Sequence, residues 1–398
     1  MAGNFLYHGT QTGEDEILPL EGPAIKHALT NVPSGYTRMG RLKGRLLGRA
    51  GVAIILRRWH QGAWIVGRHP GARPLFNWLL QSIPAAPAAS TAIIHAKWRR
   101  GRGSVVVRAL TTGGQLAAVA KLTLGESDAG ARISKEAEFL TRAGEDLRDI
   151  GLLIPSARVL RRELGIPVML ANVVPGDTAA ALILSGRISG SAMLASLGEK
   201  LLAWSRRTVV SRTIEAGWVE REVLEPADKI VPLLENGEKY LGWLQARCRA
   251  LVGAQMPLVA THGDLTMWNV LVTTGGSLGI VDWEAATPEG LPLRDLCYAA
   301  LDIASAAHRY SDRADAFRKC FEVCGPEARQ LTHLRTQLGQ ALGLSRDAAL
   351  LCFHACWLQH AVEEAGKRNP PEFRPFREIL RRLASRPESF DTVGLRSE

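Results

Sequence analysis

The sequence predicts an α+β chain, a strand-rich region followed by a mainly helical one, and three observations predict it. Between residues 92 and 124, apolar runs at 92–97, 105–110 and 116–124 are separated by turns rich in glycine. Two longer segments, 192–208 and 230–252, read as helices, the first with Met193, Leu194, Leu197, Leu201, Leu202 and Trp204 at helical spacing. Beyond them, short apolar runs at 258–260, 270–272 and 278–281 flank two acids, Asp264 and Asp282, as strands would flank carboxylates held at a hairpin rim.

In chain order, residues 1–37 hold an acidic cluster, Glu14-Asp15-Glu16, with no assigned role. Residues 38–50 mix Arg and Lys with Leu, but their glycines weaken a helix. Residues 51–56 and 63–67 read as two strands around a turn at His60-Gln61-Gly62, and residues 83–91, rich in Pro and Ala, read as a linker. The strand at 116–124 carries V-A-K, with Lys121 last. A lysine in an apolar strand is costly unless it is paired, so a partner is expected from the next helix, 131–147. Strands follow at 155–160 and 166–170. A core helix is expected at 350–364 and a basic amphipathic helix at 373–383.

The chemistry concentrates in Thr261–Leu271, T-H-G-D-L-T-M-W-N-V-L, and Gly279–Glu284, G-I-V-D-W-E. An acid, Asp264, precedes a neutral oxygen ligand, Asn269, by five residues, and a second acid, Asp282, closes the next apolar strand. Phosphoryl transfer needs an oriented nucleophile and a neutralised triphosphate more than covalent help, and this pattern supplies both. Asp264 is the candidate base, and Asn269 and Asp282 are the candidate magnesium ligands.

These residues resemble the aminoglycoside phosphotransferase and choline kinase branch of the protein-kinase-like fold, over roughly residues 91–366. Gly263 stands where eukaryotic protein kinases carry Arg, and D-W-E stands where they carry D-F-G. The resemblance implies a nucleotide-binding lobe at 91–172, a catalytic and substrate-binding lobe at 173–398, and a basic N-terminal extension at 1–90 with room for extra strands. It implies that Lys121 contacts the α- and β-phosphates, with Glu136 as its ion-pair partner and Glu138 as the alternative. Residues 99–104, R-R-G-R-G-S, would cover the phosphates through Gly101, Gly103 and Ser104, although only G-x-G of the glycine pattern survives. Residues 171–176 resemble the hinge between lobes. His262 is implied as a structural residue that fixes the loop, and Asp295 of P-L-R-D-L as a buried hydrogen-bond hub. Trp268 and Glu284 are expected on the substrate side.

The expected activity is ATP- and Mg²⁺-dependent transfer to a hydroxyl of a sugar or amino-alcohol, with GTP as an alternative donor. An aminoglycoside acceptor is the second reading. The third is a non-catalytic kinase-like protein that binds a polyanion or membrane surface. That third reading rests on charge. Residues 22–125 contain sixteen Lys and Arg and no Asp or Glu, whereas the whole chain carries +10. Such polarity implies an anionic partner, a membrane surface or lipid-linked phosphate. Nucleic acid is disfavoured because no binding motif is recognisable. At 398 residues there is length for two or three cores. The six scattered cysteines and the absence of a signal-peptide pattern point to a reducing cytoplasm, with peripheral membrane contact as the exception.

Overall fold

The computed structural model describes residues 4–9, 14–19, 63–68, 89–99, 102–111, 115–124, 127–160, 168–365 and 375–390. It divides into two units, Met1–Arg142 with Pro155–Val174, and Ala143–Ile154 with Pro175–Glu398.

The first unit is built on one antiparallel sheet. Its strands are β1 (Asn4–Gly9), β2 (Glu14–Pro19), β3 (Ala63–Arg68), β4 (Ala89–Arg99), β5 (Arg102–Thr111), β6 (Leu116–Leu124), β7 (Ala157–Leu160) and β8 (Val168–Asn172). Among the described residues the order is β3-β1-β2-β4-β5-β6-β8-β7. Helix α1 (Ser127–Asp149) lies between β6 and β7 in sequence and belongs to this unit through Arg142. Its Ile133 and Ala137, one turn apart, pack with Met169 of β8 and with Ala157 and Val159 of β7. That contact covers the β8–β7 end of the sheet with apolar side chains, next to Glu136.

Two expectations change here, and one unassigned stretch gains a place. Residues 89–91, read as the end of a linker, open β4, while 83–88 lie outside the described residues. The acidic cluster is a strand: β2 pairs with β4 so that Glu14 lies opposite Lys97 and Ile17 opposite Ile94. The expected loop at 99–104 is mostly paired strand, with Arg99 opposite Arg102, Trp98 opposite Gly103 and Lys97 opposite Ser104. The β-branched run of β5 therefore extends its ladder almost to the turn. The strand expected at 51–56, the basic stretch at 38–50, the turn at 112–114 and Gly101 all lie outside the described residues.

The second unit is mainly helical. It contains β9 (Asp177–Thr178), α2 (Ala179–Leu184), α3 (Gly190–Thr208), β10 (Val210–Thr213), α4 (Ala216–Val219), a π-turn at Glu220–Leu224 and α5 (Glu225–Ile230). Next come α6 (Gly237–Leu251), β11 (Gln255–Thr261), β12 (Val270–Val272), β13 (Leu278–Ile280), β14 (Thr287–Gly290) and α7 (Arg294–Ala307). The last helices are α8 (Arg313–Phe321), α9 (Pro326–Leu342), α10 (Arg346–Ala365) and α11 (Pro375–Ser385). The single long helix expected at 230–252 is instead α5, a 3-10 turn at Val231–Leu233 and then α6. Pro232 lacks an N–H for a helix interior, and Asn236 turns left-handed at φ 58° before Gly237, so the chain restarts there. Helix α7 is buried at every position from Asp295 to Ala306, and its Ala, Cys and Ser residues let neighbouring elements approach closely. Five of the six cysteines are buried and all are free thiols. Among the described residues, no helix is long and apolar enough to cross a membrane.

Candidate active site

The loop between β11 and β12 carries the candidate chemistry, and three separate ties fix it. Strand β12 pairs with β13, Val270 opposite Ile280, around a turn in which Thr273 N–H bonds the Ser277 carbonyl at 2.9 Å. Past the strand ends, Val281 N–H donates to the Asn269 carbonyl at 3.0 Å, so the segment leading to Asp282 is zipped to the segment leading from Asp264.

His262 supplies the second tie. Its backbone is fully buried with the ring, and Asp264 N–H donates to Nδ1 at 3.2 Å. Nδ1 is therefore an acceptor and the proton sits on Nε2, which donates to the Val281 carbonyl at 3.0 Å. With both nitrogens committed to backbone, the imidazole holds the two acidic segments together and keeps no lone pair for a substrate. Trp283 seals this arrangement. Its indole N–H donates to the Ile280 carbonyl at 3.0 Å, and its ring meets His262 edge-on at 4.8 Å and Trp204 at 5.5 Å.

Helix α7 supplies the third tie through two buried carboxylates. Asp295 accepts from the backbone N–H of His262 at 2.6 Å and of Gly263 at 3.0 Å. Asp302 accepts from Met267 N–H at 2.7 Å, from the Tyr310 hydroxyl at 3.0 Å and from Arg313 at 2.8 Å. Burial pushes the Asp302 carboxyl above its ordinary range, opposed by Arg313 and by those hydrogen bonds. Arg294 adds a bond from its guanidinium to the Gly263 carbonyl at 3.2 Å. Gly263 itself has φ +85°, and a Cβ there would lie 2.6 Å from the Ala285 carbonyl oxygen. The motif position that carries Arg in eukaryotic protein kinases is thus open only to glycine in this backbone.

The candidate ligand residues have suitable chemistry. Asn269 Nδ2 donates to the Asp264 carbonyl at 2.9 Å, which commits the nitrogen end of the amide and leaves its oxygen as the acceptor end. Asp282, half-buried, follows β13 at φ +68°, an uncommon backbone state for a residue with a side chain and one found at functional turns. A carboxylate and an amide oxygen are the hard donors magnesium takes, and the residues fit that ion. Trp268 stacks on Tyr310 with centroids 6.3 Å apart, and Glu284 is exposed on the turn that follows Trp283.

In the first unit, Lys121 Nζ donates to both Glu136 oxygens, at 2.9 and 3.1 Å. Glu136 is only 4% exposed, whereas Lys121 keeps 19% of its side chain open. The alternative partner, Glu138, is exposed and bonds Arg142 instead. Gly103 and Ser104 lie within β5.

Sequence reasoning missed Asp302, Tyr310 and Arg313. Asp302 stands seven residues after Asp295, the spacing of two helical turns, and that spacing from a recognised hub was the available signal.

None of the curated proteins compared matches the chain. Solved structures similar to it include the GDP complex of an aminoglycoside 2′-phosphotransferase-IIIa mutant, 15% identical over 80% of this chain and 99% of that one, TM-score 0.48. Another is macrolide 2′-phosphotransferase MphH from Brachybacterium faecium, 16% identical over 82% and 99%, TM-score 0.43. A third is aminoglycoside phosphotransferase APH(3″)-Id from Streptomyces rimosus with ADP and streptomycin, 15% identical over 71% and 97%, TM-score 0.39. The sequence model of the phosphotransferase enzyme family matches residues 97–323, more than half of the chain, and with its antiparallel sheet followed by a helical unit around the H-G-D loop the chain belongs to that family, as a phosphotransferase of α+β, protein-kinase-like fold.

Proposed function

We propose that the chain is an ATP- and magnesium-dependent kinase that transfers the γ-phosphoryl group to a hydroxyl of a sugar or amino-alcohol. The observation that carries this reading is the double tie of His262, from Asp264 N–H on one side to the Val281 carbonyl beside Asp282 on the other. A histidine spent in this way keeps the two acid-bearing segments in a fixed relation, which a base and a metal ligand need.

In this reading Asp264 accepts the proton of the acceptor hydroxyl as the oxygen–phosphorus bond forms. The bond from the γ-phosphorus to the β,γ-bridging oxygen breaks, and the nucleoside diphosphate leaves with that electron pair. Asn269 and Asp282 would hold magnesium, which supplies charge neutralisation on the phosphate oxygens. Lys121, held by Glu136, steadies the α- and β-phosphates. His262 and Asp295 hold the loop, and Trp268 and Glu284 line the acceptor side.

The test is a thermal-shift titration with ATP and GTP, each with and without Mg²⁺, for the wild type beside Asp282→Ala. Saturation at a hundred times Kd adds about 2.7 kcal/mol to the native state. A magnesium-dependent rise in Tm that the variant lacks is expected. No rise with either nucleotide, or an equal rise in Asp282→Ala, refutes the assignment.

A further inference from the structure

Asp295, Tyr298 and Asp302 follow each other on α7 at i, i+3 and i+7, which puts them on one face of the helix. The two acids hold loop residues 262, 263 and 267. Tyr298, between them, therefore faces the middle of the same loop, where Asp264 stands. Its ring is fixed by stacking on His360, with centroids 3.7 Å apart and planes 16° from parallel, and by Phe376 at 6.1 Å. The ring is 6% exposed, yet its hydroxyl makes no hydrogen bond to any other described residue. The hydroxyl is the open end of an otherwise buried ring, and a donor there with no partner among the described residues is available to a ligand. Burial, with the negative charges of Asp264, Asp302 and Glu363, drives the phenol far above its ordinary pKa. The group therefore stays a donor across the working pH range.

Several acids around the loop are already matched. Asp302 is bridged to Arg313, and Glu289 to Arg212. Glu363 lies 4.0 Å from Arg294. A polycationic acceptor needs carboxylates beyond the candidate base Asp264 and metal ligand Asp282. Asp295 is spent on two backbone N–H groups, and of Asp302, Glu289, Glu363 and Glu284 only the exposed Glu284 has no cationic neighbour among the described residues.

We propose that Tyr298 is an acceptor-binding residue whose hydroxyl donates to an uncharged, sugar-like polyol held with one of its hydroxyls at Asp264, and that cationic amines are not acceptors. This rests on the kinase reading above and narrows its acceptor from a sugar or amino-alcohol to the uncharged, sugar-like class.

The experiment measures transfer from γ-labelled ATP with Mg²⁺ to myo-inositol, methyl glucoside and N-acetylglucosamine, beside kanamycin and choline. Transfer to at least one neutral compound, with none to kanamycin or choline, is expected. For the best neutral acceptor, Tyr298→Phe, which keeps the stack on His360, should raise KM about tenfold with kcat within about threefold. The ATP–Mg²⁺ thermal shift should persist in that variant, which reports that it folds and binds nucleotide. Transfer to kanamycin or choline, or to no compound while the nucleotide shift is present, overturns the substrate class and leaves the kinase reading standing. An unchanged KM in Tyr298→Phe overturns the role of the hydroxyl. Loss of the nucleotide shift in the wild type sinks the kinase reading itself.

Discussion

Asp302→Ala probes the part of the site that lies beneath the chemistry. The carboxylate is 1% exposed and answers three donors: Met267 N–H, the Tyr310 hydroxyl and the Arg313 guanidinium. Removing it leaves the N–H of fully buried Met267 without an acceptor, at about 1–3 kcal/mol. It also strands Arg313, whose side chain keeps 23% exposure and recovers part of its hydration. Breaking a buried pair from one side typically costs about 3–5 kcal/mol. Burial of the acid itself opposes ionisation, so the lower end, about 3 kcal/mol, is the expected loss. For a unit of this size each kcal/mol moves Tm by about 2–4 °C, which predicts a fall of about 6–12 °C. Differential scanning calorimetry of wild type, Asp302→Ala, Arg313→Met and the double variant measures it. The double variant should be less destabilised than the sum of the single variants by at least about 1 kcal/mol. A Tm change under about 2 °C for Asp302→Ala, or effects that simply add, would refute the reasoning.

Three other predictions concern the loop and the helical core. Asp264→Asn should lower kcat by about 10²–10⁴ while leaving the ATP–Mg²⁺ thermal shift in place, because it removes a proton acceptor and no nucleotide contact. Gly263→Ala, at φ +85° and facing the Ala285 carbonyl, should cost at least about 1–2 kcal/mol and reduce kcat; a variant with wild-type Tm and rate would mean the loop backbone is not constrained as described. His354 is fully buried and its Nδ1 lies 2.7 Å from the Tyr240 hydroxyl, with a pKa lowered by burial from 6.5 to about 3. Between those values the unfolded chain binds a proton that the folded chain refuses, so stability falls as pH drops below 6.5. At about 1.4 kcal/mol per pH unit this removes about 2 kcal/mol between pH 6.5 and 5, and urea titrations of His354→Gln should show a shallower loss.

The sequence reveals the site's upper layer more readily than its support. His262, Asp264, Asn269 and Asp282 fall within a short stretch whose spacing is itself the signal, and Lys121 stands out as the single cation in an apolar strand. Asp295 is visible from its P-L-R-D-L setting. Asp302 and Tyr298 are not, because α7 is buried all round and so lacks the apolar stripe that would assign a direction to each residue. Strand β2 begins with three acids, a composition that masks a strand, and only its register with β4 brings it into the sheet. The break between α5 and α6 was marked by Pro232 and by Asn236-Gly237, but the apolar repeat on either side continued across it.

The two clamps on α7 also bear on how activity decays. Seven residues of helix span about 10.5 Å, so Asp295 and Asp302 grip the loop at two points set by a rigid rod. The rod is buried from Asp295 to Ala306, so it cannot loosen without exposing the centre of the helical unit. Inactivation by local fraying at the loop is thereby suppressed, and catalytic competence becomes an all-or-none property of each molecule. In a heated sample the surviving activity should count the molecules still folded, and the calorimetric and enzymatic decay curves should superimpose.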